Sequence, residues 1–211
     1  MGGMGRALAC AAAALALCCA ACAAQPLLGA PEVPARAVRL LSLGDWGTDD
    51  GAQHSVARAF VSVASRLRPH AVLGLGDNFY WSGVTSTSDP RWARTFEGQY
   101  SGPALAGVPW LMALGDHDHL GNVSAQVEYT YTSHSKRWRM PRQWFSHEMP
   151  IPGDTGARAV QVVTVDSAAL EAVFAGDDLK AGMRFGEQMD LGAMGPGVAA
   201  RQWAWLPPPP S

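Results

Sequence analysis

Cysteine is nearly absent where it would matter. The 211-residue sequence has four, Cys10, Cys18, Cys19 and Cys22, and none later. Beyond residue 22 this excludes a disulfide framework and a thiolate metal site, so any metal there is held by oxygen and imidazole nitrogen. Histidine is sparse as well: His54, His70, His117, His119, His134 and His147 are all there is. Excess positive charge is missing, the formal net charge being −2, which leaves no electrostatic case for a nucleic-acid partner or an anionic membrane surface. Long apolar runs are missing too. Ala7–Ala21 falls short of the roughly 20 residues that cross a bilayer. With Arg6 before it and small residues at 22–24 after it, this run reads as a secretory signal over 1–24. The expectation is a secreted chain or one in the secretory-pathway lumen (extracellular, lysosomal or vacuole-like), with no stable membrane insertion once the signal is removed. Residues 25–36 read as a Pro-punctuated linker, 37–206 as a partial domain and 207–211 as a Pro-rich tail that cuts off a helix begun at "AARQWAWL". The stretch Gly176–Gly197 is rich in Gly, Met and Ala without helix or strand periodicity.

What is present is a repeated pattern. Val38–Leu43 runs into Gly44-Asp45, Ala71–Leu75 into Gly76-Asp77, and Val108–Leu114 into Gly115-Asp116; a fourth run, Val160–Val165, ends at Asp166. Apolar runs without alternation predict strands covered on both faces. Gln53–Arg68 predicts a crossover helix, with Val56, Ala59, Phe60 and Val63 recurring at i, i+3, i+4 and i+7. Asn122–Ser133 is a weaker helical segment. In βαβ units functional groups gather at the carboxyl ends of the strands, where glycine lets the backbone turn and the next side chain is left at the rim.

Turn formation explains the glycines but not an aspartate after each. Carboxylates that converge without partners repel one another and raise their own pKa values, and a bound cation relieves this. Asp45, Asp77 and Asp116, with Tyr80 just past Asp77, are hard oxygen donors suited to Fe(III), Mn(II), Mg(II) or, with imidazole, Zn(II). A trivalent ion holds Tyr as phenolate at neutral pH despite its ordinary pKa near 10. Read alone, Tyr80 would be an aromatic packed between Phe79 and Trp81.

"GDWG" at 44–47, "GDNFY" at 76–80 and "GDHDHLGNVSAQ" at 115–126 resemble the calcineurin-like metallophosphoesterases, in particular the small, tartrate-resistant purple acid phosphatases. "SKRWRMPRQWF" at 135–145 and "VVTVDS" at 162–167 extend the resemblance. It implies an α/β fold, the αββα sandwich of that superfamily, here expected without the second half of the sandwich. It implies an acid phosphatase that hydrolyses phosphate monoesters at a binuclear metal centre, Fe(III) plus a divalent ion (Fe, Zn or Mn), whose two cations share the attacking hydroxide. Asp45, Asp77 and Tyr80 match the Fe(III) ligands, with Asp77 bridging to the divalent ion, and Asp116 stands at a ligand position of that second ion. His117 matches the residue that contacts phosphate or protonates the leaving alcohol, and Asp118 would orient its ring. The role of His119 stays open.

Two departures stand out. Asp116 replaces the family's usual Asn, adding a negative charge that predicts tighter metal binding and weaker attraction for phosphate. The family's further Gly-His motifs have no counterpart, and no histidine follows residue 147. The expectations are therefore an incomplete chain with little turnover or, as the alternative, a non-catalytic metal-binding or interaction remnant. A nucleotide-binding domain, suggested by Gly74-Leu75-Gly76, lacks the third glycine and the helix that should follow. Asn122-Val123-Ser124 is an N-glycosylation sequon, and the tryptophans, among them Trp46, Trp81, Trp92 and Trp138, predict core and rim packing.

Overall fold

The structure, a computed structural model, describes residues 34–169 together with 201, 202, 204 and 205. Two compact units are distinguished, Met1–Ala37 and Val38–Ser211. The first contributes only residues 34–37 to the description, without helix or strand; the fold below is that of the second. The expected signal over 1–24, most of the linker, the stretch 176–197 and the tail 207–211 lie outside the described residues. Among those residues, no helix is long and apolar enough to cross a membrane.

Four short strands, β1 (Leu40–Leu43), β2 (Ala71–Gly74), β3 (Trp110–Met112) and β4 (Trp138–Arg139), form one parallel sheet in that order. β5 (Phe145–Pro150) and β6 (Ala159–Thr164) pair antiparallel in a second sheet, Phe145 opposite Thr164. Side chains alternate across the strands and supply a core on each face of the first sheet. Val72, Trp110 and Met112 join Trp46, Phe60, Phe79, Phe96 and Trp138 on one face, while Ala71 and Leu111 pack with Phe145 and Met149 of the second sheet on the other. A helical layer, a parallel sheet and a second sheet are thus stacked in turn, which supplies three layers of the expected sandwich.

The crossover helix α1 spans Gly51–Leu67. Asp50 caps it by accepting from the Gln53 amide at 2.9 Å, and Arg68 ends it in the left-handed region. Its buried face corrects the periodicity reading: Gln53, Ala57, Phe60 and Ala64 are buried, whereas Val56 is 48% and Val63 38% exposed. Alanine allows the helix to approach the sheet closely, and Gln53 is admitted because its amide donates to the Thr95 carbonyl at 2.9 Å and its oxygen accepts from the Asp49 amide. A count of large apolar residues misplaces such a face. A π-helical segment, Trp92–Glu97, leads toward β3. α2 is a single turn, Asp116–His119, and α3 runs Val123–Thr132, capped by Asn122. After Gly76 the chain enters a turn and no helix, unlike a dinucleotide-binding loop.

Candidate metal centre

The site forms at the carboxyl edge of the parallel sheet because the loops after β1, β2 and β3 are stitched together there. Asp45 N donates to the Gly76 carbonyl at 3.2 Å, Gly47 N to the Asp77 carbonyl at 3.3 Å, and Tyr80 N returns to the Gly47 carbonyl at 2.8 Å. A Cβ on Gly47 would overlap the Asn78 backbone, and one on Gly115 would overlap the Asp77 carboxylate, so both loops approach as closely as glycine permits. Asp45 and Asp77 have φ of 54° and 51°, a left-handed conformation that aspartate tolerates better than most residues and that is held only where surroundings enforce it. The enforcement is visible next door: Trp46 is buried among Phe79, Phe96, Tyr100 and Trp110, and its indole donates to Asn78 Oδ1 at 3.2 Å.

The predicted ligands converge. Tyr80 Oη donates to Asp77 Oδ2 at 2.6 Å and lies 3.0 Å from Asp45 Oδ1. The other Asp77 oxygen accepts from the His117 amide at 3.2 Å. Asp77, Asp116 and His117 each bring a ligating atom within 4.8 Å of the others. Burial pushes the Asp77 carboxyl above its usual range and the Asp116 carboxylate pushes the same way, while the Tyr80 hydrogen bond opposes both. Tyr80 is raised by burial and then by its two carboxylate acceptors. The donor set, three carboxylates, a phenol and an imidazole, fits a hard metal ion.

His117 and Asp118 point to different tasks. The His117 ring holds the Trp81 carbonyl through Nδ1 at 2.8 Å; a carbonyl only accepts, so Nδ1 carries the proton and, in the neutral ring, Nε2 carries the lone pair. Tyr80 and Trp81 flank the ring, at 4.5 and 5.6 Å between centroids. Asp118 is fully buried and accepts from the amides of Asn78 and Gly115 and from the side chains of Asn78 and Gln126, at 2.9–3.2 Å. Burial raises its pKa to about 6 against those hydrogen bonds. It braces the β2 and β3 loops against α3, while the Trp81 carbonyl is one contact that fixes the His117 ring.

Sequence reasoning did not single out Asn78 and Gln126, which complete this buried network, nor the Trp81 carbonyl. Asn78 sits inside the quoted "GDNFY" and its neighbourhood to Asp77 was a usable signal; a backbone acceptor leaves none. His134 is exposed after α3 and His147 lies within β5.

Known proteins resemble this chain in sequence and fold. The family model described as calcineurin-like phosphoesterase matches residues 38–167. Tartrate-resistant acid phosphatase type 5 from Oryctolagus cuniculus is 42% identical over 121 residues, 54% of this chain and 37% of that protein. The Mus musculus protein of the same name is 35% identical over 193 residues, 86% and 54% of the two chains. Purple acid phosphatase 7 of Arabidopsis thaliana is 37% identical over 99 residues, 46% of this chain and 30% of that one. Among solved structures, GAP50, the anchor in the inner membrane complex of Plasmodium, superposes with a TM-score of 0.57 at 25% identity, covering 74% of this chain and 49% of that one. The chain spans about half or less of the length of these relatives. With the family model covering well over half of its residues, the chain belongs to the calcineurin-like phosphoesterases.

Proposed function

We propose that this site hydrolyses phosphate monoesters as an acid phosphatase, with Asp45, Asp77, Tyr80 and Asp116 holding a binuclear centre of Fe(III) and a divalent ion (Fe, Zn or Mn). The observation that carries the reading is the meeting of the Tyr80 hydroxyl with the Asp45 and Asp77 carboxylates, beside Asp116 and His117. Bound there, two cations would activate water and offset the charge of the phosphate. The protein's own residues supply the rest. His117, whose Nδ1 is held by the Trp81 carbonyl, takes the proton-transfer or phosphate-contacting role in this reading. Asp118 keeps the Asp77 and Asp116 loops in register through Asn78 and Gly115. The relatives' names support the phosphatase reading; a secretory signal over residues 1–24 and a glycan on Asn122 are part of the same proposal and rest on the sequence.

The test is to load the protein with Fe(III) and Zn(II) and follow metal content, visible absorption and hydrolysis of an aryl phosphate. Metal uptake with slow hydrolysis that Asp77→Asn abolishes is the expected result. Hydrolysis indifferent to Asp77, or no uptake at all, would remove the proposal.

A further inference from the structure

The fourth strand also runs into an aspartate, but that aspartate faces a different partner. Asp166, two residues beyond β6, is fully buried, and both its carboxylate oxygens lie 3.0 Å from Nε2 of His119. The His119 side chain is only 4% exposed. A carboxylate accepts, so Nε2 is the donor. The acceptor is itself anchored: Asp166 Oδ1 accepts from the Ala169 amide at 3.2 Å and its carbonyl from the buried Gln202 amide at 3.4 Å. His119 ends α2, the turn that begins at Asp116, and a single helical turn cannot hold its own conformation in isolation. Its beginning is fastened by Gly115 N to Asp118 and by His117 N to Asp77. Its end is fastened by His119, across 47 residues of sequence, to the connection that leaves the second sheet.

We propose that His119 and Asp166 form a positioning pair that locks α2 against the second sheet and so sets where Asp116 and His117 stand, without either residue binding metal. The metal-affinity part of this rests on the function proposed above; the locking of α2 does not. Breaking the pair leaves a buried donor or carboxylate without its partner, and the turn is the nearest element free to relax.

Asp166→Asn, Asp166→Ala, His119→Gln and the double variant Asp166→Asn/His119→Gln test it through two readouts: backbone amide exchange in the metal-free protein and Mn(II) affinity by calorimetry. Exchange at 116–120 is expected to quicken by about tenfold or more with the β1–β3 amides unchanged, and Mn(II) binding to weaken by about 10–100-fold, the usual cost of removing a partner behind a metal site. Asparagine, which still accepts from His119, should be milder than alanine, and the double variant no worse than its worse single parent. Unchanged exchange overturns the proposal, and so does quickened exchange with unaltered Mn(II) affinity, which would leave only a fold contact. If the wild-type protein binds no Mn(II), the metal centre fails and exchange alone decides the pair. If Asp166 variants do not fold, His119→Gln, which keeps a donor, decides; its unfolding too would assign the pair to global stability and overturn the claim.

Discussion

The Tyr80 hydroxyl donates to Asp77 Oδ2 at 2.6 Å, a bond inside the candidate metal cluster and not on its margin. Tyr80→Phe removes the phenol and leaves the ring. It is expected to abolish visible absorption on Fe(III) loading and to lower iron content, while divalent binding persists. In the metal-free protein the Asp77 carboxyl should titrate still higher, since the bond that lowers its pKa is lost. A variant that kept the wild-type absorption would show that Tyr80 only packs.

Burial raises the Asp77 carboxyl, and repulsion from Asp116 adds to it. Asp116→Asn relieves that repulsion and withdraws one ligand charge, so Mn(II) affinity should fall by on the order of tenfold, ligand charge being a main determinant of affinity for hard cations. Inhibition by inorganic phosphate should become tighter. Calorimetry and inhibition assays check the two halves, and no change in either would discard the charge argument.

Asp118 gives a pH dependence whose sign follows from its direction of shift. Its folded pKa, about 6, lies above the ordinary value of 3.8, so its protonated form is favoured by folding. That contribution is complete below about pH 4 and is lost as pH rises through about 6, on the order of 3 kcal/mol in all. Asp118→Asn does not titrate and places an amide nitrogen against donors from Asn78, Gly115 and Gln126. Denaturant unfolding of the metal-free proteins should show the wild type more stable, with its advantage shrinking from pH 4 to pH 7. An advantage that grows with pH would mean the hydrogen bonds outweigh burial.

Asn122 holds two roles at once. Its side-chain oxygen caps α3 by accepting from the Ala125 amide at 3.0 Å, and its amide donates to the Thr85 carbonyl. Asn122→Ala should cost about 1 kcal/mol of stability for the lost cap. Ser124→Ala removes the sequon and leaves the cap. Expressed in a eukaryotic secretory host, both variants should lose the same glycan mass, and only Asn122→Ala should lose this stability when both are compared without glycan.

The strand ends were legible because strand, glycine and aspartate are consecutive: local backbone chemistry places Asp45, Asp77 and Asp116 at one edge of a parallel sheet, and the resemblance to the phosphoesterases follows from the same short motifs. The buried face of α1 was not legible, because Ala57 and Ala64 are chosen by close approach to a sheet that no window of sequence contains, while Val56 and Val63 are left outside. Asp118 is read from the sequence as orienting His117; its burial against Asn78 and Gln126, which adds a bracing role, depends on contacts that no window of sequence contains. The pairing of His119 with Asp166 spans 47 residues and two sheets. Residue type says that an imidazole and a carboxylate can meet; only the packing of the second sheet on the first decides that these two do.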